Sequence, residues 1–439
     1  MFARTTSVLV AALILVPPGI AAAGTTKHDR VVSADPVDTT PHVLDGIVDA
    51  IALVGGTVVV GGSFDRVREA RGTTVLERSN LFAYDLATGR ILPGFEPYLD
   101  RPVRALAPGA DGTVYAGGDF TEARTGTGDD GPANGALADT RGLVRLRLSD
   151  GSPVPGFGAR VRGGTVTTLA VQGSRLYAGG DFTGIGGARR TALARLDART
   201  GAADPGFAIE PDRSRGRRVR VHAMALSGDR LAVGGDFTTL GGLSRPQLGL
   251  VDTGGSSGNG EGGGGTAPAK VADWRTATYA ARCRDVFPGY IRGLDFAPDG
   301  SYFAVVTTGG PEGPDKPCDS AARFETRARG EVRPTWVNHT GGDSLYAVAV
   351  TGAAVYVGGH QRWLDNPYGR DSAGPGAVAR PGIGAIDPRT GKALKWNPTR
   401  ERGIGVKAFL AHHGGLLVGS DTTRLGHEYH ARVGMFPLP

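Results

Sequence analysis

A seven-residue phrase returns along this chain at intervals that only a repeat architecture explains. Val-Tyr-Ala-Gly-Gly-Asp-Phe at 114–120 recurs as Leu-Tyr-Ala-Gly-Gly-Asp-Phe at 176–182 and as Leu-Ala-Val-Gly-Gly-Asp-Phe at 231–237. Weaker copies stand at Val58–Phe64, Val355–His360 and Leu416–Asp421, with a degenerate one at Tyr302–Val306. Fixed-period self-similarity identifies units that cannot bury their own apolar faces and must stack on one another. A second landmark keeps step with the first. An aromatic closes a short Gly/Pro turn at Phe95, Phe157 and Phe207, and Trp274, Trp336 and Trp396 occupy the matching places. Phe95 to Gly118, Phe157 to Gly180 and Trp336 to Gly359 are each 23 residues; Trp396 to Ser420 is 24 and Phe207 to Gly235 is 28. Near-constant spacing on one side of the landmark and variable spacing on the other describe a rigid core with loops inserted at one point.

Each unit reads as four short strands. In the second, Val103–Ala107 leads to an Asp111-Gly112 turn, then Thr113–Gly118, a loop, Leu143–Leu148, a turn at 149–151 and a last strand ending at Phe157. Composition agrees: 72 glycines and 28 prolines in 439 residues suit tight turns and not long helices, while 40% hydrophobic content supports a packed core. Seven such units predict an all-β, seven-bladed β-propeller of four-stranded blades around a central channel. The expected blades are 45–98, 99–160, 161–212, 213–277, 278–338, 339–398 and 399–439. The last unit stops after its third strand, so Arg30–Ala34 is expected to supply the missing fourth and remove two exposed sheet edges.

The alternation of LARLDARTGAADPGF with VHAMALSGDRLAVGGDFT is similar to the delta-60 repeats of bacterial β-propellers. The resemblance covers most of residues 45–439, is clearest in the first four units and is degenerate in the fifth. It implies the propeller fold and an extracellular habit, and no defined reaction, because a scaffold does not specify a function.

Residues 1–23 read as a secretory signal: Arg4, an apolar run Val8–Val16, and Ala21-Ala22-Ala23 as the cleavage site. Nine apolar residues fall short of the roughly 20 that a membrane-spanning helix needs, so no transmembrane anchor is expected. Export to an oxidising compartment makes Cys283 and Cys318 a disulfide pair, and both belong to loops on one face. The net charge of +6 is a weak pointer to an anionic partner and equally what an arginine-rich composition gives by itself.

Gly-Gly-Asp-Phe resembles the signature loop of nucleotide cyclases, but here it recurs at repeat spacing with no cyclase pattern around it. The glycines are expected to allow bulging and close packing, and Asp119, Asp181 and Asp236 to cap loop amides. In a propeller, loops joining strands two and three share a face with those joining consecutive blades. That face receives the long insertions, including Thr121–Arg141 and His360–Pro381, whereas the other face has tight turns apart from the Gly/Ser stretch 254–265.

Binding residues are therefore sought on the loop-bearing face. Trp363 lies outside the aromatic register, beside His360, Arg362, Asp365, Asn366 and Tyr368. It either stacks on a sugar or base, or pins its own loop. In the seventh unit Asp421, Arg424, His427, Glu428 and His430 fall in the matching loop. The two histidines lack the spacing of a helical zinc motif, and satisfied loop histidines are the alternative to a metal site. Arg213, Arg215, Arg217 and Arg218 share one inter-blade loop, either to meet an acidic polymer or as a solvated charge run.

No nucleophile motif, phosphate loop or cofactor fingerprint is present, so neither cofactor nor metal nor nucleic acid is expected. The reading is a secreted, monomeric, non-catalytic scaffold that engages a polysaccharide, a cell-envelope polymer or a protein. A carbohydrate-active hydrolase or lyase at the channel mouth and a purely structural surface protein are the alternatives.

Overall fold

The computed structural model describes residues 26–126, 140–216, 218–254, 268–284, 287 and 289–439. The expected signal segment 1–23, much of the 121–141 loop, Arg217 and the Gly/Ser stretch 255–265 lie outside the described residues. Among the described residues every regular element is a β-strand, and no helix is long and apolar enough to cross a membrane.

Each repeat folds as an antiparallel meander. The leading strands are Ile47–Val54, Val103–Pro108, Val166–Gln172, Arg220–Ser227, Ile291–Phe296, Leu345–Val350 and Ala408–His412. Each pairs with a second strand that carries the repeated phrase, and that strand pairs with a third. Consecutive leading strands pack side by side, and Ile47–Val54 also packs against Ala408–His412.

The fourth strands are shorter than the sequence suggests. Only the fourth and fifth sheets have a regular one, Lys270–Val271 and Trp336–His339. In the first, second, third and sixth it shrinks to one bridge: Tyr84 with Ile91, Leu146 with Pro153, Leu196 with Ala203, and Ile386 with Ala393. In the first three, the Pro-Gly turn that follows removes a donor and bends the chain away. Beside the seventh sheet no regular strand forms over 30–34, yet Ser33 N–H donates to Pro437 O and Val37 N–H to Met435 O.

The twin glycines have two separate jobs. A Cβ on the first of each pair would come within about 2.7 Å of the next sheet's leading strand: Gly61 on Val103, Gly117 on Val166, Gly234 on Ile291. A Cβ on the second would land on a backbone oxygen at the start of its own leading strand, as Gly180 on Thr165 and Gly359 on Ser344. The first glycine sets the distance between sheets and the second admits a bulge. The register aromatics Phe95, Phe157, Phe207, Trp274, Trp336 and Trp396 are all buried, as the repeat spacing requires of core residues. Trp336 Nε1 donates to Pro388 O and Trp396 Nε1 to Ser33 O, so each indole also ties its sheet to the segment beyond it.

The inserted loops are more ordered than connections need be. Several fold as small hairpins, among them Gly184–Arg189, Thr239–Ser244, Trp363–Ala379 and Arg424–Tyr429. Cys283 and Cys318 form a disulfide with Cα atoms 5.9 Å apart, on the loop-bearing face as the sequence predicts.

Candidate functional site

Every leading strand contains or, in the seventh sheet, is led into by the same four-residue pattern: apolar, variable, small, apolar. The stretches are Val48-Asp49-Ala50-Ile51, Val103-Arg104-Ala105-Leu106, Val166-Thr167-Thr168-Leu169, Val221-His222-Ala223-Met224, Ile291-Arg292-Gly293-Leu294, Leu345-Tyr346-Ala347-Val348 and Val406-Lys407-Ala408-Phe409. In the first six sheets the pairing register skips the variable residue, which leaves it as the extra residue of a bulge. In the seventh, regular pairing begins at Ala408, and Lys407 N–H donates separately to Gly419 O. A bulge re-aims a side chain out of the pleat. All seven variable residues are half-buried, while the apolar residue before each is buried.

They converge on one place. Arg104 Nη1 donates to Asp49 Oδ2 at 2.8 Å, joining the first two sheets. Thr167 Oγ1 donates to Val221 O at 2.8 Å, joining the third and fourth. Lys407 Nζ stands 3.5 Å from the Tyr346 ring centroid, a cation–π contact between the seventh and sixth. His222 feels the charge of Arg292, and Lys407 that of Asp49, Arg292 and Arg104. Two residues further along the strands a cavity of about 150 Å³ is lined by Leu106, Leu169, Met224, Leu294, Val348 and Phe409, with Asp295 in its wall. Polar residues thus form a ring of positions at the loop-bearing ends of the leading strands, and apolar ones line what lies beneath.

Burial governs the electrostatics of this ring. It pushes His222 down to about 3 and Arg292 down to about 10, and it lowers Lys407 as well. Burial also raises Asp49, against the pull of Arg104. Below the ring, burial lifts Asp295 to about 7 although the Val350 and Phe296 amides oppose it.

The loop candidates have other commitments. Asp421 accepts from Gly405 N–H, Ile404 N–H and Arg400, whose side chain is 0% exposed. Asn366 is fully buried; it donates to Thr340 O and Ser372 O and accepts from Gly374 N–H. Asp365 accepts from Asn338 and from Ala393 N–H. Arg362 grips the buried Asp343 through Nε and Nη2 and lies 4.3 Å from the Trp363 ring centroid. Tyr368 is exposed, and Arg424 donates to His427 O within its own hairpin.

His427 follows Gly426 at a two-residue turn in which both have positive φ, 62° and 70°. Gly186-Gly187 and Gly241-Gly242 make the same turn in the third and fourth sheets. His430 is buried and reaches Glu428 at 3.4 Å. Among the described residues no group of three His, Cys, Asp or Glu side chains is placed to hold a metal ion.

Of all the loop candidates, His360 alone contacts the ring. Its Nδ1 lies 3.3 Å from Tyr346 Oη, and its Nε2 accepts from Ser344 N–H. Of the repeat aspartates, Asp181 accepts from Thr165 N–H and Asp236 from Arg215 N–H, as capping requires. Asp119 instead pairs with Arg104. In the arginine-rich loop, Arg215 donates to Ala280 O and Arg218 pairs with Asp181, so neither is a free charge.

Residues 174–207 match the profile of a family described as a β-propeller domain of unknown function, DUF5122. The match covers 34 residues of this all-β chain. The matched segment runs from the end of the third sheet's first turn to Phe207 and takes in its second and third strands. Comparison with curated proteins gave no match. Among solved structures, the computationally designed Ika8 protein is similar at 12% identity and a TM-score of 0.47, over 93% of this chain and all of that one. The WD40 β-propeller domain of Doa1 is similar at 10% identity and a TM-score of 0.48, over 96% of this chain and 98% of that one.

Proposed function

We propose that this chain is a secreted, seven-bladed propeller of delta-60 repeats that acts as a non-catalytic binding scaffold, with its ligand seated at the channel mouth of the loop-bearing face. Three contacts support closure of the ring. Ile47–Val54 packs on Ala408–His412, a Cβ on Gly419 would press on Val48, and one apolar cluster joins Val48, Val58 and Phe82 to Leu417 and Val433. The bonds from Ser33 and Val37 to the last strand support the N-terminal segment as the outer strand of the seventh blade.

The observation that carries the function is the ring itself. Seven equivalent positions with uniform flanks hold Asp, Arg, Thr, His, Arg, Tyr and Lys. A purely architectural position would keep one residue type, whereas a site facing an asymmetric ligand needs different ones. An extracellular polysaccharide, envelope polymer or protein segment entering end-on is the ligand this arrangement suits.

The test is binding of the mature protein to a glycan and cell-envelope array, beside Tyr346→Ala and Trp363→Ala. Selective binding lost in Tyr346→Ala and kept in Trp363→Ala is the expected result. Loss in Trp363→Ala alone moves the site to the rim, and no binding by the wild type removes the scaffold reading for these ligands.

A further inference from the structure

The two halves of the ring are not alike. On one side Arg104 is held between Asp49 and Asp119, and the Thr167 hydroxyl proton goes to Val221 O. This half neutralises itself. On the other side stand His222, Arg292, Tyr346 and Lys407, where neither cation has a carboxylate within ion-pair distance among the described residues.

Donors dominate this second arc, and their geometry is set. Arg292 Nη1 donates to Gly289 O at 2.9 Å and Ile291 O at 3.0 Å, which anchors the guanidinium. Nε and Nη2 keep no partner among the described residues, and that edge is the one that grips a carboxylate with two parallel bonds. Lys407 Nζ rests only on the Tyr346 ring face. The Tyr346 hydroxyl follows from its neighbour. His360 Nε2 accepts from Ser344 N–H, so the neutral imidazole has its proton on Nδ1 and gives it to Tyr346 Oη. The Ser344 side chain also lies within hydrogen-bonding reach of the Tyr346 hydroxyl.

The carboxylates whose charge reaches these cations are already engaged. Asp49 is held by Arg104, Asp236 by Ser214 Oγ and Arg215 N–H, Asp319 by Gly310 N–H and Ser344 Oγ, and Asp421 by two amides and Arg400.

We infer that the Arg292–Tyr346–Lys407 arc is a carboxylate-binding site, which takes the acid group of an acidic sugar presented at the channel mouth. The inference rests on the channel mouth being the ligand site, and it names the chemistry of that ligand. One carboxylate would receive Arg292 Nε and Nη2, Lys407 Nζ and the Tyr346 hydroxyl, with neutral His222 free to meet an adjacent hydroxyl. Burial disfavours both cations where they stand, so an anion supplies the compensation that the protein itself withholds.

The experiment is calorimetric titration of the full mature chain at low ionic strength with trigalacturonate, neutral galactotriose and citrate. Trigalacturonate is expected to bind saturably and at least tenfold more tightly than galactotriose. Arg292→Gln and Lys407→Gln each weaken it at least tenfold. Tyr346→Phe, which keeps the ring beneath Lys407, weakens it about threefold. Arg389→Gln, an exposed turn residue on the opposite face, leaves it unchanged. Citrate bound with the same variant pattern supports the carboxylate site and assigns it to a free acid. Equal affinity in the wild type and both cation variants, each confirmed folded by its melting curve, overturns the inference. Preference for galactotriose also overturns it, while leaving the scaffold reading intact; no binding of any probe, with an array ligand still captured, does the same.

Discussion

The proposed channel mouth and the rim hairpins beside the sixth and seventh sheets share one face, and they use polar residues in opposite ways. At the rim, Asp421, Asn366, Asp365 and Arg362 spend their hydrogen-bonding capacity inside the protein. At the mouth, Arg292, Lys407, Tyr346 and His222 hold capacity in reserve. A polar side chain that closes a loop is a structural part even when it looks like a site. A polar side chain kept half-buried without a full set of partners is destabilising unless something else meets it. Substitution should therefore lower stability at the rim and binding at the mouth.

The sharpest test of the rim is Asp421→Asn. Burial opposes ionisation of Asp421, but the Gly405 and Ile404 amides and Arg400 outweigh it and hold the carboxyl below its usual range. Its contribution is therefore present above about pH 4 and disappears as the pH falls through the lowered value. The variant leaves Arg400 buried without a counter-charge, so urea denaturation at pH 7 should show a loss of about 3 kcal/mol. The wild-type acid slope from this group should vanish with it. A loss below about 0.5 kcal/mol would place Asp421 among the free groups and break the comparison.

Asp295, in the cavity wall below the ring, has the reverse sign. Its raised pKa means that the folded state holds the proton more tightly, so stability is complete below pH 4 and falls as the pH rises towards 7. Asn in its place accepts the same Val350 N–H without the charge. Asp295→Asn should gain on the order of 1 kcal/mol at pH 8 and nothing at pH 4, read from paired melting curves.

At the mouth, Lys407→Gln removes a cation that lacks an ion-pair partner. Denaturation should show no loss and a gain of up to about 1 kcal/mol, although the same variant is expected to lose ligand. A clear loss of stability would mean that Lys407 is structural after all. The smallest effect belongs to the rim turn: His427→Gly should gain about 0.5 kcal/mol, because glycine accepts the positive φ that His427 has to adopt. Binding should not change.

Much of this was readable beforehand. The repeated phrase located the second strand of every sheet, the aromatic register picked out buried residues, and the face assignment put Cys283 and Cys318 on one face, where they bond. The place of His427 was legible too, since it aligns with Gly187 and Gly242 in the phrases Leu-Gly-His, Ile-Gly-Gly and Leu-Gly-Gly. Read as an insertion, it resembled chemistry; read as a repeat position, it is a turn residue. The ring was harder to find, because Asp49, Arg104, Thr167, His222, Arg292, Tyr346 and Lys407 share no residue type. Their common signal is a varied position between constant neighbours.

Consecutive residues alone specify the all-β repeat, the packing of sheet on sheet and the aromatics that fill the gaps. Those properties depend on local periodicity and on glycine where no Cβ fits, and both are written in consecutive residues. Only the tertiary structure decided which polar groups remain available. Whether a side chain is spent or free depends partly on partners supplied by other blades: Arg104 finds one acid in its own blade and a second one blade away, and Arg292 finds only carbonyls of its own segment. No interval along the chain encodes that difference, because it arises when bulges bring distant positions to one axis.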